Sequence, residues 1–195
     1  MKMVKIEKWF INSSQHAGQV INRAEKLLHF TNVKEKQNFL EVGCGNGAVS
    51  RYITKKYFLN VTGVDIDPEQ IKLAQESIDN IPNIHFLEVD ATALPFQDGN
   101  FDIVLSFGAM HHISNWLDAL GEIRRVLKSK GYFIYGDLMF TKLITKFGKS
   151  FKHSYGITTM HDVSSFIQKN GFSTVHASVT NALIWHNYEA VYRRN

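Results

Sequence analysis

Chemistry is first suggested where the segment FLEVGCGNGAVS places Gly43, Gly45 and Gly47 between an apolar run and a helical pattern. Glycine there permits a tight turn and lets the main chain approach a ligand closely. About twenty residues on, Asp65 closes the next apolar run, where a carboxylate can accept hydrogen bonds from both hydroxyls of a ribose. The segment VDATALPF then sets Asp90 beside Ala91. A carboxylate can accept from an adenine amine while the neighbouring main-chain N–H donates to a ring nitrogen. Glu41, Asp65 and Asp90 make this region acidic, which suits a nucleoside carrying a cationic centre and opposes a pyrophosphate by like-charge repulsion. The pattern Gly43-x-Gly45-x-x-Ala48 also satisfies the dinucleotide fingerprint, so a nicotinamide (NAD) oxidoreductase stays open at this point.

Three further positions carry reactive side chains. His111 and His112 follow the apolar run FDIVLSF, and imidazole exchanges protons near neutral pH. Either is a candidate catalytic base, set against a packing role in a pocket wall. Asp137 ends the run YFIYGDL, where it could face a substrate, set against the expected role of a solvated or capping acid. Cys44, the one cysteine, reads as a small packed thiol and excludes a disulfide framework. No metal is expected, because the histidines are not spaced i, i+4 on one helix and no acid at 106–109 pairs with Asp137.

These residues sit at the ends of apolar strand-like runs that alternate with helical patterns. Strands are expected over 38–44, 60–66, 84–90, 101–107 and 132–138, and helices over 15–30, 47–57, from Pro68 onward with Ile71, Ala74, Ile78 and Ile81 buried, and over 116–128, closed by Gly131. A helix stopped by Gly171 and two strands, 172–180 and 183–193, complete the chain. Alternation of this kind implies a doubly wound, Rossmann-like α/β fold with a mostly parallel sheet and helices on both faces, and the final pair an antiparallel hairpin. Ligands of such sheets bind outside the carboxyl ends of the strands.

The 195 residues fit one domain. Lys and Arg number 22 against 18 Asp and Glu, a mildly basic +4, and 44% of residues are hydrophobic, so a disordered, collagen-like or coiled-coil chain is excluded. The opening MKMVKIEKWF lacks a signal-peptide core, no apolar run reaches a membrane-spanning length, and a cytoplasmic setting is expected.

FLEVGCGNG, GVDIDPEQIKLA, HFLEVDATALPF, FDIVLSFGAMHHI and EIRRVLKSKGYFIYGD together resemble the class I S-adenosylmethionine-dependent methyltransferases, closest to the type 11 group that includes ubiquinone and menaquinone biosynthesis enzymes. The resemblance covers about residues 38–138. It implies a seven-stranded sheet with an antiparallel last strand, and S-adenosylmethionine as cofactor. It implies that Gly43 and Gly45 pass under the methionine portion, with Glu41 orienting it. Asp65 would hold the ribose, Ile66 pack on the adenine, and Asp90 and Ala91 read its edge. Ser106 and Phe107 would line the methionine end. Ser129-Lys130-Gly131 replaces the family's Pro-Gly-Gly, and the Asp/Asn-Pro-Pro-Tyr pattern of DNA and protein amino-group enzymes is absent after the fourth strand.

The domain then divides into an N-terminal helical cap (1–37), a cofactor core (38–138), a lid-like insertion (139–160), and a final helix with two strands (161–195). The expected partner is a small, apolar or aromatic methyl acceptor. Phe140, Leu143, Ile144, Phe147 and Phe151 share one helical face, with Lys142, Lys146, Lys149, Lys152 and His153 on or near the other. That stretch serves as a lid or, through 140–153, a peripheral membrane contact. Trp9, Phe10 and His16 are expected to close the pocket from the other side. An RNA methyltransferase, using those lysines with Arg124, Arg125 and Lys128, and a non-catalytic cofactor-binding partner protein are the other readings.

Overall fold

The computed structural model describes residues 12–78, 80–140, 159–181 and 185–195. The elements run α1 (Ser14–Leu28), β1 (Asn38–Val42), α2 (Ala48–Tyr57), β2 (Asn60–Asp65), α3 (Pro68–Glu76), β3 (Ile84–Glu88) and β4 (Phe101–Phe107). A 3-10 turn (Met110–His112), α4 (Trp116–Val126), β5 (Leu127–Phe140), α5 (Met160–Lys169), β6 (Phe172–Asn181) and β7 (Trp185–Arg194) follow. Most of the lid stretch expected over 139–160, with Trp9 and Phe10, lies outside the described residues.

The seven strands form one sheet in the order β3-β2-β1-β4-β5-β7-β6. Strands β1 to β5 pair in parallel, while β7 is antiparallel to both β5 and β6. This is the expected Rossmann-like sheet with its antiparallel last strand. The order reverses between β1 and β4, so the connections leaving these strands diverge and open a crevice at their carboxyl ends.

Two apolar layers fix the sheet between its helices. Ala24, Leu27, Val49, Ile53, Ile71 and Ala74 bring α1, α2 and α3 onto one face with Phe39, Val61 and Ile103. On the other face Leu120, Ile123, Val163 and Ile167 of α4 and α5 pack with Val104, Phe133 and Tyr135. Local chemistry starts the helices where the sheet needs them. Ser13 accepts the His16 N–H ahead of α1, and Asp67 accepts the Glu69 N–H ahead of Pro68 in α3. Thr159 and Asp162 bond each other's main chain in a reciprocal cap on α5.

Two boundaries depart from the sequence reading. Helix α4 ends at Val126, and Leu127 already pairs with Phe101, so β5 starts five residues before 132. A register shift then absorbs Lys128–Gly131, with Lys130 at φ 65°. A side chain at Gly131 would meet the Asp102 carbonyl oxygen at 2.9 Å, so the glycine serves this bulge and does not close a helix. Helix α3 stops at Glu76, and Ile81 is buried from the following loop.

Candidate active site

The carboxyl ends of β1 to β5 surround a cleft of about 870 Å³. Its floor comes from β1. Gly43, at φ 76°, turns the chain out of the strand and donates to the Val64 carbonyl at 2.8 Å. A β-carbon on Gly43 would lie 2.5 Å from that of Ala109, so only glycine lets this turn pass under the loop after β4.

Asp65 ends β2 and clamps the turn. Its Oδ2 accepts the Gly45 N–H and its Oδ1 the Asp67 N–H, both at 2.9 Å. A carboxylate has about four lone-pair directions, so these main-chain bonds leave acceptor capacity for a ligand in the cleft that Asp65 lines. Burial pushes its carboxyl above the usual range, and these main-chain donors pull against that shift. Half-exposed Ile66 lies beside it. At the end of β3, Asp90 is exposed and its Oδ1 accepts both the N–H and the hydroxyl of Thr92, at 2.9 and 2.8 Å. Asp90 and Ala91 line the same cleft.

The opposite half is built by β4, β5 and the 3-10 turn. The Phe107 ring lies over Gly136, where a β-carbon would come within 2.2 Å of it. His111 and His112 line this half with their ring centroids 3.9 Å apart. Asp137 is 2% exposed, contrary to the solvated acid expected of it. Its Oδ1 lies 2.5 Å from His111 Nδ1, and its Oδ2 accepts the His111 N–H at 3.1 Å. The register of β4 against β5 sets this pair, because it brings the residue after Gly136 beneath the turn that follows Phe107.

Nine of the eleven candidate residues line the cleft: Gly43, Gly45, Asp65, Ile66, Asp90, Ala91, Phe107, His111 and His112. Glu41 and Ser106 do not. Glu41 is 5% exposed behind the turn, where its carboxylate accepts the Ser50 hydroxyl of α2 at 2.5 Å. Burial pushes its carboxyl up to about 7. Ser106 is buried within β4, its hydroxyl without a hydrogen-bond partner among the described residues. Strand alternation accounts for both: Glu41 turns toward Ser50 of α2 while its neighbour Val42 lines the cleft, and Ser106 is buried while its neighbour Phe107 lines it. The acids that join Asp65 and Asp90 in the lining are Asp67 and Asp137.

Sequence reasoning missed Gln19, Arg23 and Asn187, which also line the cleft. His16, Gln19 and Arg23 recur at helical spacing on α1, a signal that was present but masked by that helix's stronger apolar stripe. Arg23 stands 5.3 Å above the Phe107 ring and pairs with Glu189 of β7. Asn187 reaches the site only through the pairing of β7 with β5. Away from the cleft, Arg125 is tied to Glu122, Asp98 and the carbonyls of Leu94 and Phe96. Lys128 bonds Asp102, and Arg124 the Asn170 carbonyl. Among the described residues no group of three or more His, Cys, Asp or Glu could hold a metal ion.

Comparison with known proteins gives three likenesses. A family model described as a methyltransferase domain matches residues 40–135. Phthiotriol/phenolphthiotriol dimycocerosates methyltransferase 1 of Mycobacterium ulcerans is 40% identical over 100 residues, 51% of this chain and 36% of that protein. The 2-methyl-6-phytyl-1,4-hydroquinone methyltransferase of Synechocystis is 41% identical over 98 residues, 50% of this chain and 31% of that protein. The chain therefore spans about a third of the length of these curated relatives. Geranyl diphosphate C-methyltransferase from Streptomyces coelicolor shares the fold, with a TM-score of 0.76 at 13% identity, covering 94% of this chain and 87% of that one.

Proposed function

We propose that the chain, which matches a methyltransferase domain over residues 40–135, is a class I S-adenosylmethionine-dependent methyltransferase of the type 11 group that binds S-adenosylmethionine and methylates a small, apolar or aromatic acceptor at oxygen, nitrogen or carbon. The observation that carries this reading is the single cleft in which the glycine turn of β1, the acids after β2 and β3, and the histidines after β4 all meet.

The fit rests on the donor set. Gly43 and Gly45 give bare main chain for the methionine portion, Asp65 keeps lone pairs for the ribose, Ile66 offers an apolar surface to the adenine, and Asp90 with Ala91 lies at its edge. S-adenosylmethionine supplies a methyl group on a positively charged sulfur, already activated as a leaving group. The chain's own residues then have to align an acceptor with that methyl, exclude water and hold its proton. Phe107, Ile113 and Leu138 offer the apolar wall, and His111 and His112 the imidazoles. Glu41 supports the turn from behind by holding Ser50 of α2. On this reading 38–138 is the cofactor half, while 1–37 and 139–160 cover the acceptor. The relatives named for a hydroquinone and for phthiotriol dimycocerosates support an apolar acceptor.

Two other readings lose ground. Arg23 is the one Lys or Arg among the described lining residues and is already paired with Glu189, whereas Asp65, Asp67 and Asp90 all face the cleft. That charge balance opposes the pyrophosphate of NAD. The Arg124, Arg125 and Lys128 cluster expected for RNA is consumed by intramolecular bonds.

Calorimetry with S-adenosylhomocysteine tests the reading. The wild type binds, and Asp65→Ala binds at least ~10-fold more weakly, because a hydrogen bond to a charged group contributes about 1.5–3 kcal/mol. Unchanged affinity in the variant, or no binding by the wild type, overturns the assignment.

A further inference from the structure

Resting on that reading, we propose that Asp137 positions His111 as the base that deprotonates the acceptor. The acceptor is then a protic group, a phenolic hydroxyl or a comparably acidic X–H, and not a tertiary amine or thioether. The juxtaposition joins three elements: the turn after β4 carries the imidazole, the end of β5 carries the carboxylate, and the cleft between β1 and β4 lies beyond the ring.

Asp137 is a fully buried carboxylate on which three donors converge. Its Oδ2 accepts the His111 main-chain N–H at 3.1 Å, and its Oδ1 accepts the Leu138 N–H at 2.7 Å. His111 Nδ1 lies 2.5 Å from the same Oδ1. An ionised carboxylate only accepts, so this contact places the ring proton on Nδ1 and leaves Nε2 with a lone pair. Free imidazole favours the other tautomer, and a fixed Nδ1–H is what an acceptor carboxylate imposes. Burying a carboxylate beside two main-chain donors alone is costly, whereas a cation forming next to it repays that cost. The main-chain bond to residue 111 and the ring bond to the same carboxylate also fix ring direction. His112 packs against the His111 ring, with centroids 3.9 Å apart.

The proton balance is simple. The acceptor X–H bond breaks, its proton goes to His111 Nε2, and the electron pair stays on X. That pair forms the new bond to the methyl carbon, while the pair of the broken carbon–sulfur bond remains on sulfur. The imidazolium, held against Asp137, afterwards gives its proton to water. The other charged or titratable groups facing His111 are His112 beside it and, across the cleft, Asp65, Asp67, Asp90, His16 and the Glu189-paired Arg23.

Nitrogen-15 NMR of the imidazoles, on the full chain with S-adenosylhomocysteine added, reads the tautomer without any acceptor. His111 is expected as the Nδ1–H form, converting mainly to the Nε2–H form in Asp137→Asn. An Nε2–H wild type, or a variant with an unchanged pattern, overturns the proposal. If Asp137→Asn does not fold, the wild-type spectrum still decides. In activity, 2-methyl-1,4-hydroquinone and dimethylethanolamine serve as protic and tertiary-amine probes with a labelled methyl donor. Transfer to the hydroquinone, with kcat lowered about 100-fold in Asp137→Asn and the donor KM within about threefold, supports a positioned base. Transfer to the amine with equal kcat in both proteins overturns it. Failure of S-adenosylhomocysteine to bind in calorimetry removes the methyltransferase reading instead, and the tautomer result stands apart from it.

Discussion

At the scale of single residues, Glu41 shows how a side chain serves a site without entering it. Its carboxyl is buried behind the glycine turn and accepts from Ser50, and burial holds it up to about 7 against an ordinary 4.5. A carboxyl raised on folding binds its proton more tightly in the folded chain. Its contribution to stability is therefore complete below the unfolded value and is lost as pH climbs through about 7. The span from 4.5 to about 7 sets an upper limit of about 3 kcal/mol on that loss. Urea unfolding of the wild type is expected to show a lower midpoint at pH 8 than at pH 5. Glu41→Gln, which keeps the shape and cannot ionise, flattens that difference. Asp65 shifts in the same direction from burial, so the wild-type-minus-variant difference is the quantity that isolates Glu41.

Elements meet through glycines as much as through large side chains. The glycine turn and strand β2 approach the Phe86 ring of β3 so closely that a β-carbon on Gly63 would stand 2.6 Å from it and 3.0 Å from the β-carbon of Cys44. Gly63 lies in the interior of β2, where glycine is otherwise unfavourable, and this packing explains it. Gly63→Ala is expected to destabilise by about 1–3 kcal/mol through overpacking. Adding Phe86→Leu opens space for the new methyl, so the double variant loses less than the two single changes summed. Strict additivity in chemical denaturation rules out the contact as the cause.

For the whole molecule, the decisive property is that one crevice collects groups from the ends of β1 to β5, from β7 and from α1. A ligand that fills it binds only the folded chain and stabilises it by mass action, about 2.7 kcal/mol at a hundred times its dissociation constant. For a chain of this size that amounts to roughly 5–10 °C in Tm. Thermal unfolding with S-adenosylhomocysteine is expected to move by that amount and with NAD not at all. A shift with NAD alone reverses the choice of ligand class. No helix among the described residues is long and apolar enough to cross a membrane.

The order of the elements, the glycine turn and the acids at the ends of β2 and β3 were legible in the residues themselves. Such features are local: a periodicity, a left-handed turn, an acid at a strand end. The partners of Glu41, Asp137 and Arg23 were not, because each lies on a different element, brought close by strand register or by helix docking. Asp137 looked like a terminal acid until the pairing of β4 with β5 set it under His111. Residue types and their spacing determined where a nucleoside could be held. Only the packed sheet decided which histidine meets a buried carboxylate, since contacts between distant segments follow from register and burial and leave no period in the chain.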